Sequence, residues 1–176
     1  MTHHSFIDES IRGNNFYLAE IQIATKDVGW IRTSVSRKMR RNGSLVHMHN
    51  ESMASRNRAI EELMKLPFQA KIIQCHKTIS ILKSRERCVH RLASSQHIKF
   101  CKHLVFEQIS SNLADRRILE MYAKKSDSDF PEFRHMKPSE EPLLIIPDVV
   151  AWSFGRGGIW RQKIASKIIE FSQING

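Results

Sequence analysis

The sequence predicts an α/β domain in which a mixed sheet of about five strands is flanked by helices. Three observations predict it. Two strand-like runs near the start are joined by turn residues, as in a hairpin. Beyond residue 52, helical and strand-like apolar patterns alternate, which calls for helices packed on a sheet. The length, 176 residues, suits one domain spanning residues 1–176 and is enough to bury a core without a disulfide or zinc staple.

The first strand opens at Phe6-Ile7-Asp8, and Gly13-Asn14-Asn15 supplies turn chemistry. Residues 16–24 alternate, with Phe16 and Leu18 on one face and Tyr17, Ala19, Ile21 and Ile23 on the other. Residues 28–41 suit a helix with Trp30, Ile31, Val35 and Met39 marking a face. Asn42-Gly43 is a strong turn signal, and residues 44–49 suit a short third strand. Residues 52–66 give the clearest helix, with Ala59, Ile60, Leu63, Met64 and Leu66 as its stripe and Pro67 as its stop. A fourth strand follows at 68–75.

Residues 78–95 predict a helix with Ile79, Leu82, Val89 and Leu92 inside and Lys83, Arg85, Arg87 and Arg91 mostly outside. A fifth strand covers 103–108. A helix covers 114–125, with Asp115 near its start and Lys124-Lys125 at its end, matching the helix dipole. Residues 126–134 suit a polar loop. Residues 143–154 suit a buried helix broken by Gly155, Gly157 and Gly158, and 160–172 a terminal basic amphipathic helix, so that a helical segment over 143–176 packs on the domain.

Lysine and arginine total 28 against 18 acidic residues, a formal charge of +10 and a pI near 9.9. Such a surplus favours a polyanionic partner, most commonly nucleic acid. The candidate backbone-contacting residues are Arg37, Lys38, Arg40, Arg41, Arg156 and Arg161, since cations of this kind give affinity without reading sequence. Cys75, Cys88 and Cys101 are odd in number and not spaced for zinc, so reduced thiols in a cytoplasmic protein are expected. The N-terminus lacks the pattern of a signal peptide and no apolar run reaches membrane-span length.

The chemistry is suggested by three acidic residues that interrupt apolar elements. Asp8 lies in the first strand, Glu107 follows Leu104-Val105-Phe106, and Asp148 divides Leu143–Pro147 from Val149-Val150-Ala151. Charged groups are rarely buried without a partner, and a hard divalent cation is one such partner. Two ions could activate water and stabilise the leaving oxygen of a phosphodiester, with Asp8 bridging and Glu107 and Asp148 each holding one side. The alternatives are an arginine partner for Asp8 or Glu9, a solvated strand end at Glu107 and a helix cap at Asp148. Glu9 and Glu51 are additional candidate ligands.

Phe6-Ile7-Asp8-Glu9-Ser10 resembles the opening Asp-Glu-Ser-Gly strand of the domain-of-unknown-function 3800 family. Leu144-Ile145-Ile146-Pro147-Asp148-Val149-Val150-Ala151 resembles that family's closing apolar helix. The likeness spans nearly the whole chain and implies a ribonuclease H-like fold, whose element order the chain follows. It also implies a divalent-metal site for Mg2+ or Mn2+, with Asp8 and Asp148 at motif positions and Glu107 as the acid ending a middle strand. The expected activity is metal-dependent nuclease cleavage of DNA or RNA. Two departures stand out. Ile11 replaces the usual glycine, and Gln74 ends the fourth strand where ribonuclease H proper places an aspartate. The second departure motivates an alternative on the same fold, a non-catalytic nucleic-acid-binding or assembly subunit, with a protein partner or homo-oligomer.

His47-Met48-His49 would place two imidazoles on one strand face, either as a polar edge or as metal or proton carriers. Gly155-Arg156-Gly157-Gly158 lacks the lysine and hydroxyl of a phosphate loop. Trp30, Trp152 and Trp160 read as core or interface anchors.

Overall fold

The computed structural model describes residues 1–76, 80–109, 112–126 and 129–174. The chain begins with the antiparallel hairpin of β1 (His3–Arg12) and β2 (Asn15–Ala24). Gly13 turns between them at φ +55°, a conformation that costs a residue without Cβ nothing. Helix α1 (Val28–Lys38) leads into a two-residue-per-strand hairpin, β3 (Arg40–Arg41) and β4 (Ser44–Leu45), turned by Asn42 and Gly43 at φ +51° and +82°. A 3-10 turn over Met48–Asn50 precedes α2 (Met53–Met64), which Ser52 caps by accepting the Ser55 N–H at 3.2 Å.

The remaining elements are β5 (Gln69–His76), α3 (Ile81–Ala93), β6 (Cys101–Glu107), α4 (Leu113–Lys125), β7 (Glu132–Met136), α5 (Ile145–Arg156), α6 (Gly158–Ile164) and β8 (Ile168–Ile174). The main sheet has the order β7-β6-β1-β2-β5-β8. β2 is antiparallel to both β1 and β5, whereas β6 runs parallel to β1, β7 to β6 and β8 to β5. The expected α/β mixed sheet flanked by helices is therefore observed, with six strands instead of about five.

Strand alternation divides the core between the two sheet faces. On one face Phe6, Tyr17, Ala19, Ile21 and Ile23 pack against α1, α2 and the almost wholly buried α5. On the other, Ile7, Phe16 and Leu18 meet Cys88, Val89 and Leu92 of α3 and Leu119 of α4. Helix α5 lies across β1 and β2, so its first turn crosses the strand that carries Asp8.

Four expectations are corrected. Residues 44–49 do not form a third strand of the main sheet; only Ser44–Leu45 pairs, and it pairs with β3. The chain then turns back so that the Met48 N–H meets Asp148. The stretch 126–134, of which 127 and 128 lie outside the described residues, is not all loop: β7 begins at Glu132 and adds an edge strand to β6. The helical reading of 160–172 stops at Ile164, and β8 follows. The expected helical segment over 143–176 thus ends as a strand. Ile168-Ile169-Glu170-Phe171 is rich in β-branched and aromatic residues, which favour a strand, and β5 would otherwise present an open edge.

The fourth correction concerns α3. Leu82, expected inside, is exposed, and Arg85, expected outside, is buried. Of the same predicted helix, Thr78 and Ile79 lie outside the described residues. No described helix is long and apolar enough to cross a membrane. The three cysteines are free and buried.

Candidate functional site

Three separate elements bring Asp8, Glu107 and Asp148 together. Alternation along β1 puts Phe6 and Asp8 on the α5 side of the sheet and Ile7 and Glu9 on the other. In the parallel β1–β6 ladder Ile7 lies opposite Phe106, so Asp8 and Glu107 follow side by side at the end of the paired region. Asp148 sits in the first turn of α5. Its Oδ2 accepts the Met48 N–H at 2.9 Å and lies 3.3 Å from His47 Nδ1.

Asp8 is 7% exposed, and its Oδ1 accepts the N–H of Glu9 at 2.7 Å. Burial pushes its carboxyl well above the usual aspartate range, and the negative charges of Glu107, Glu9 and Asp148 push it further. After burial, Glu107 is the neighbour that acts most strongly on the Asp8 carboxyl. Asp148 also raises the His47 imidazole above its ordinary value, chiefly by hydrogen bonding to it, and so favours its charged form.

Glu107, Asp148, His47 and Arg40 line a cleft of about 390 Å³, bordered by Gly43–His47 on one side and by Pro138, Ser139 and Leu144 on the other. Asp8 lies beside these carboxylates at the buried end of the site. The donors are carboxylate oxygens, which suit a hard cation such as magnesium. Among the described residues, no group of three or more His, Cys, Asp or Glu side chains is arranged to hold a metal ion by itself. Magnesium is commonly held by one or two carboxylates together with water and substrate phosphate, and the adjacent Asp8 and Glu107 fit that smaller donor set. A cation there would offset both the burial and the acidic neighbours that favour the protonated form of Asp8.

The other predicted residues fall elsewhere. Glu9 points through the opposite face into an ion pair with Arg85. Glu51 pairs with Arg41 at 3.1 Å. Lys38 pairs with Glu62, and the Arg161 guanidinium donates to the Phe154 carbonyl. Arg37 and Arg156 are exposed. Arg40 alone of the predicted basic set borders the carboxylate cleft, where its guanidinium donates to the carbonyls of Ser36 and Gly43.

Two contributors are not assigned by the sequence pattern. His47 belongs to an irregular segment folded onto Asp148, so strand alternation could not place it. Arg85 lies on a helix rich in basic residues. Only its buried partners Asp115 and Glu9 distinguish it.

No protein-family model matches the sequence, and no curated protein sequence matches it. Among solved structures, the chain is similar to one described as the structure of the PCNA:RNase HII complex from Archaeoglobus fulgidus. The match has a TM-score of 0.57 at 12% identity and covers 94% of this chain and 78% of the other. With the six-stranded mixed sheet, it establishes a ribonuclease H-like fold.

Proposed function

We propose that this protein is a metal-dependent nuclease that hydrolyses phosphodiester bonds of nucleic acid, with Asp8 and Glu107 as the protein ligands of Mg2+ or Mn2+ and Asp148 completing the acidic set from the cleft side. The observation that carries the reading is the convergence of these acids from β1, β6 and α5, Glu107 and Asp148 lining one cleft and the buried Asp8 standing beside them. A divalent cation bound there supplies charge stabilisation at the scissile phosphate. Asp8 and Glu107 would be the inner ligands, and Asp148, fixed by the Met48 N–H, would stand on the cleft side. Arg40 would meet the incoming backbone at the cleft edge.

The fold and the net charge of +10 support a nucleic-acid partner, and the two terminal motifs support membership of the domain-of-unknown-function 3800 family. The test is cleavage of labelled DNA and RNA in Mg2+ or Mn2+ beside Asp8→Asn. The reading requires turnover by the parent and none by the variant.

One observation favours a second reading, a binding or assembly subunit on the same fold. Among the described residues, no three acidic, histidine or cysteine side chains are arranged to hold a metal ion by themselves, while Gln74, where an aspartate is expected from the sequence, lies on β5, two strands from β1, tied to Asn15 and Gln173. Salt-sensitive nucleic-acid binding with no turnover in either metal would favour that reading.

A further inference from the structure

The end of β1 and the exposed end of α5 bring three guanidinium groups together without a counter-charge. Arg12 closes β1, Arg56 lies on α2, and Arg156 ends α5. The guanidinium carbons of Arg12 and Arg56 lie 5.5 and 4.6 Å from the centre of the Trp152 ring, within cation–π range. Among the described residues, none of the three arginines forms an ion pair with an acidic side chain. By contrast, Arg41, Lys38 and Arg32 each have a carboxylate, and Arg40 bonds only carbonyls.

Like charges held together without an anion repel, and the Arg12 guanidinium shows it. Burial lowers its pKa, and Arg156 and Arg56 lower it further. Among the described residues, two buried polar groups of this cluster, Arg12 Nε and Trp152 Nε1, have no protein partner. Leaving such groups unsatisfied is costly. Buried groups of this kind call for a specific explanation, and an acceptor-rich ligand is one.

The cluster is positioned relative to the carboxylates. Asp148 and Trp152 are four residues apart on α5 and therefore share a helix face. Arg56 donates to the carbonyl of Met48 at 2.9 Å, and the N–H of that same residue binds Asp148. Gly155 leaves room for the arrangement: a Cβ there would come within 3.1 Å of Arg12 Cγ and of the Tyr17 ring.

We propose that Arg12, Arg56 and Arg156 form a phosphate-binding subsite that holds the nucleic-acid backbone about one to two helical turns along α5 from Asp148. The inference rests on the nuclease reading for the identity of its ligand. Guanidinium forks match phosphate oxygens in a bidentate way. The subsite takes up the strand beside the cleft without reading its bases.

The experiment measures binding of a fluorescein-labelled single-stranded DNA, and separately RNA, by anisotropy in EDTA across a salt series. EDTA removes any dependence on the metal site. Arg156→Gln is the deciding variant because Arg156 is exposed and its loss leaves the core intact. Arg56→Gln is the second, accepted only if its circular dichroism and melting match the parent. Arg117→Gln, exposed on α4, is the control.

Each subsite variant is expected to weaken binding several-fold and to reduce the log–log salt slope by about 0.7, the value for one single-strand phosphate contact, while the control does not. Slopes equal to the parent's would overturn the proposal. So would variants that lose only tryptophan quenching by inorganic phosphate and keep the oligonucleotide slope, since the site would then serve a free anion. The parent reading is separable. Cleavage with unchanged slopes leaves the nuclease standing without this subsite. Reduced slopes without any cleavage leave the subsite standing without the nuclease.

Discussion

Arg85 and Asp115 form a buried two-pronged ion pair, with Nε 3.0 Å and Nη2 2.8 Å from Asp115 Oδ2. The side chains are 4% and 1% exposed. His135 Nε2 lies 3.0 Å from the same oxygen, and Arg85 also binds Glu9. The network joins α3, α4, β7 and β1 directly behind the backbone that carries Asp8. Glu9 is the residue whose N–H binds Asp8 Oδ1, so the ion network on one face of β1 fixes the carboxylate on the other.

Removing one member of this network leaves buried charge uncompensated. Arg85→Met is expected to destabilise the fold by about 3–5 kcal/mol, the usual cost of breaking a buried ion pair from one side. The check is the urea midpoint. A second variant combining Arg85→Met with Asp115→Leu should recover part of that loss. A loss in the double variant equal to the sum of the Arg85→Met and Asp115→Leu losses would show that the pair is not coupled.

Glu20 predicts an acid limit to stability on the sheet face opposite the carboxylate cleft, across from Ile7. It is 1% exposed and accepts hydrogen bonds from Ser5 Oγ at 2.6 Å and Gln22 Nε2 at 3.1 Å, with His97 Nε2 at 2.8 Å. Burial alone would raise its carboxyl, but hydrogen bonding and charge from His97, with Ser5 and Gln22, outweigh it and hold the value below the ordinary glutamate range. A depressed folded value stabilises above the unfolded glutamate pKa of about 4.3 and ceases to do so as the pH falls through the folded value. Glu20→Gln should therefore cost about 2 kcal/mol at neutral pH, and the gap to the parent should close on going below about pH 4. Denaturation at several pH values measures it, and a gap independent of pH would refute the assignment.

Two glycines separate helix propensity from packing. Gly29, in the first turn of α1, has nothing within 4 Å of an added Cβ. Gly29→Ala should stabilise by roughly 0.5–1 kcal/mol. Gly155, in α5, would press a Cβ against Arg12 and the buried Tyr17 ring, which packs edge-on to Phe154. Overpacking costs about 1–3 kcal/mol and exceeds the propensity gain, so Gly155→Ala should lower the melting temperature. Opposite signs are expected for the two variants, and a stabilising Gly155→Ala would show that α5 yields at this contact.

The hairpin, the faces of β2 and the α5 core were legible because their apolar periodicities admit one reading. Asp8 and Asp148 stood out because each interrupts a run of buried residues. β8 was not legible as a strand: Trp160, Ile164, Ile168 and Phe171 also fit a helical stripe, and the decision came from the open edge of β5. β7 was hidden by its polar residues, which an edge strand can leave in solvent. The arginines on α3 look alike in sequence, and only the tertiary placement of Asp115 and Glu9 draws Arg85 inside while Arg91 stays out. The cluster of Arg12, Arg56 and Trp152 was illegible for the same reason, since its members come from three elements distant along the chain.

The most direct test of the central claim is cleavage of labelled single- and double-stranded DNA and RNA in Mg2+ or Mn2+ by the parent and by Asp8→Asn. Both proteins must first show matching circular dichroism and melting. The nuclease reading predicts metal-dependent cleavage by the parent and its loss in Asp8→Asn, with binding in EDTA retained. Cleavage at the parent rate by Asp8→Asn, or no cleavage of any substrate by the folded parent in either metal, would contradict it.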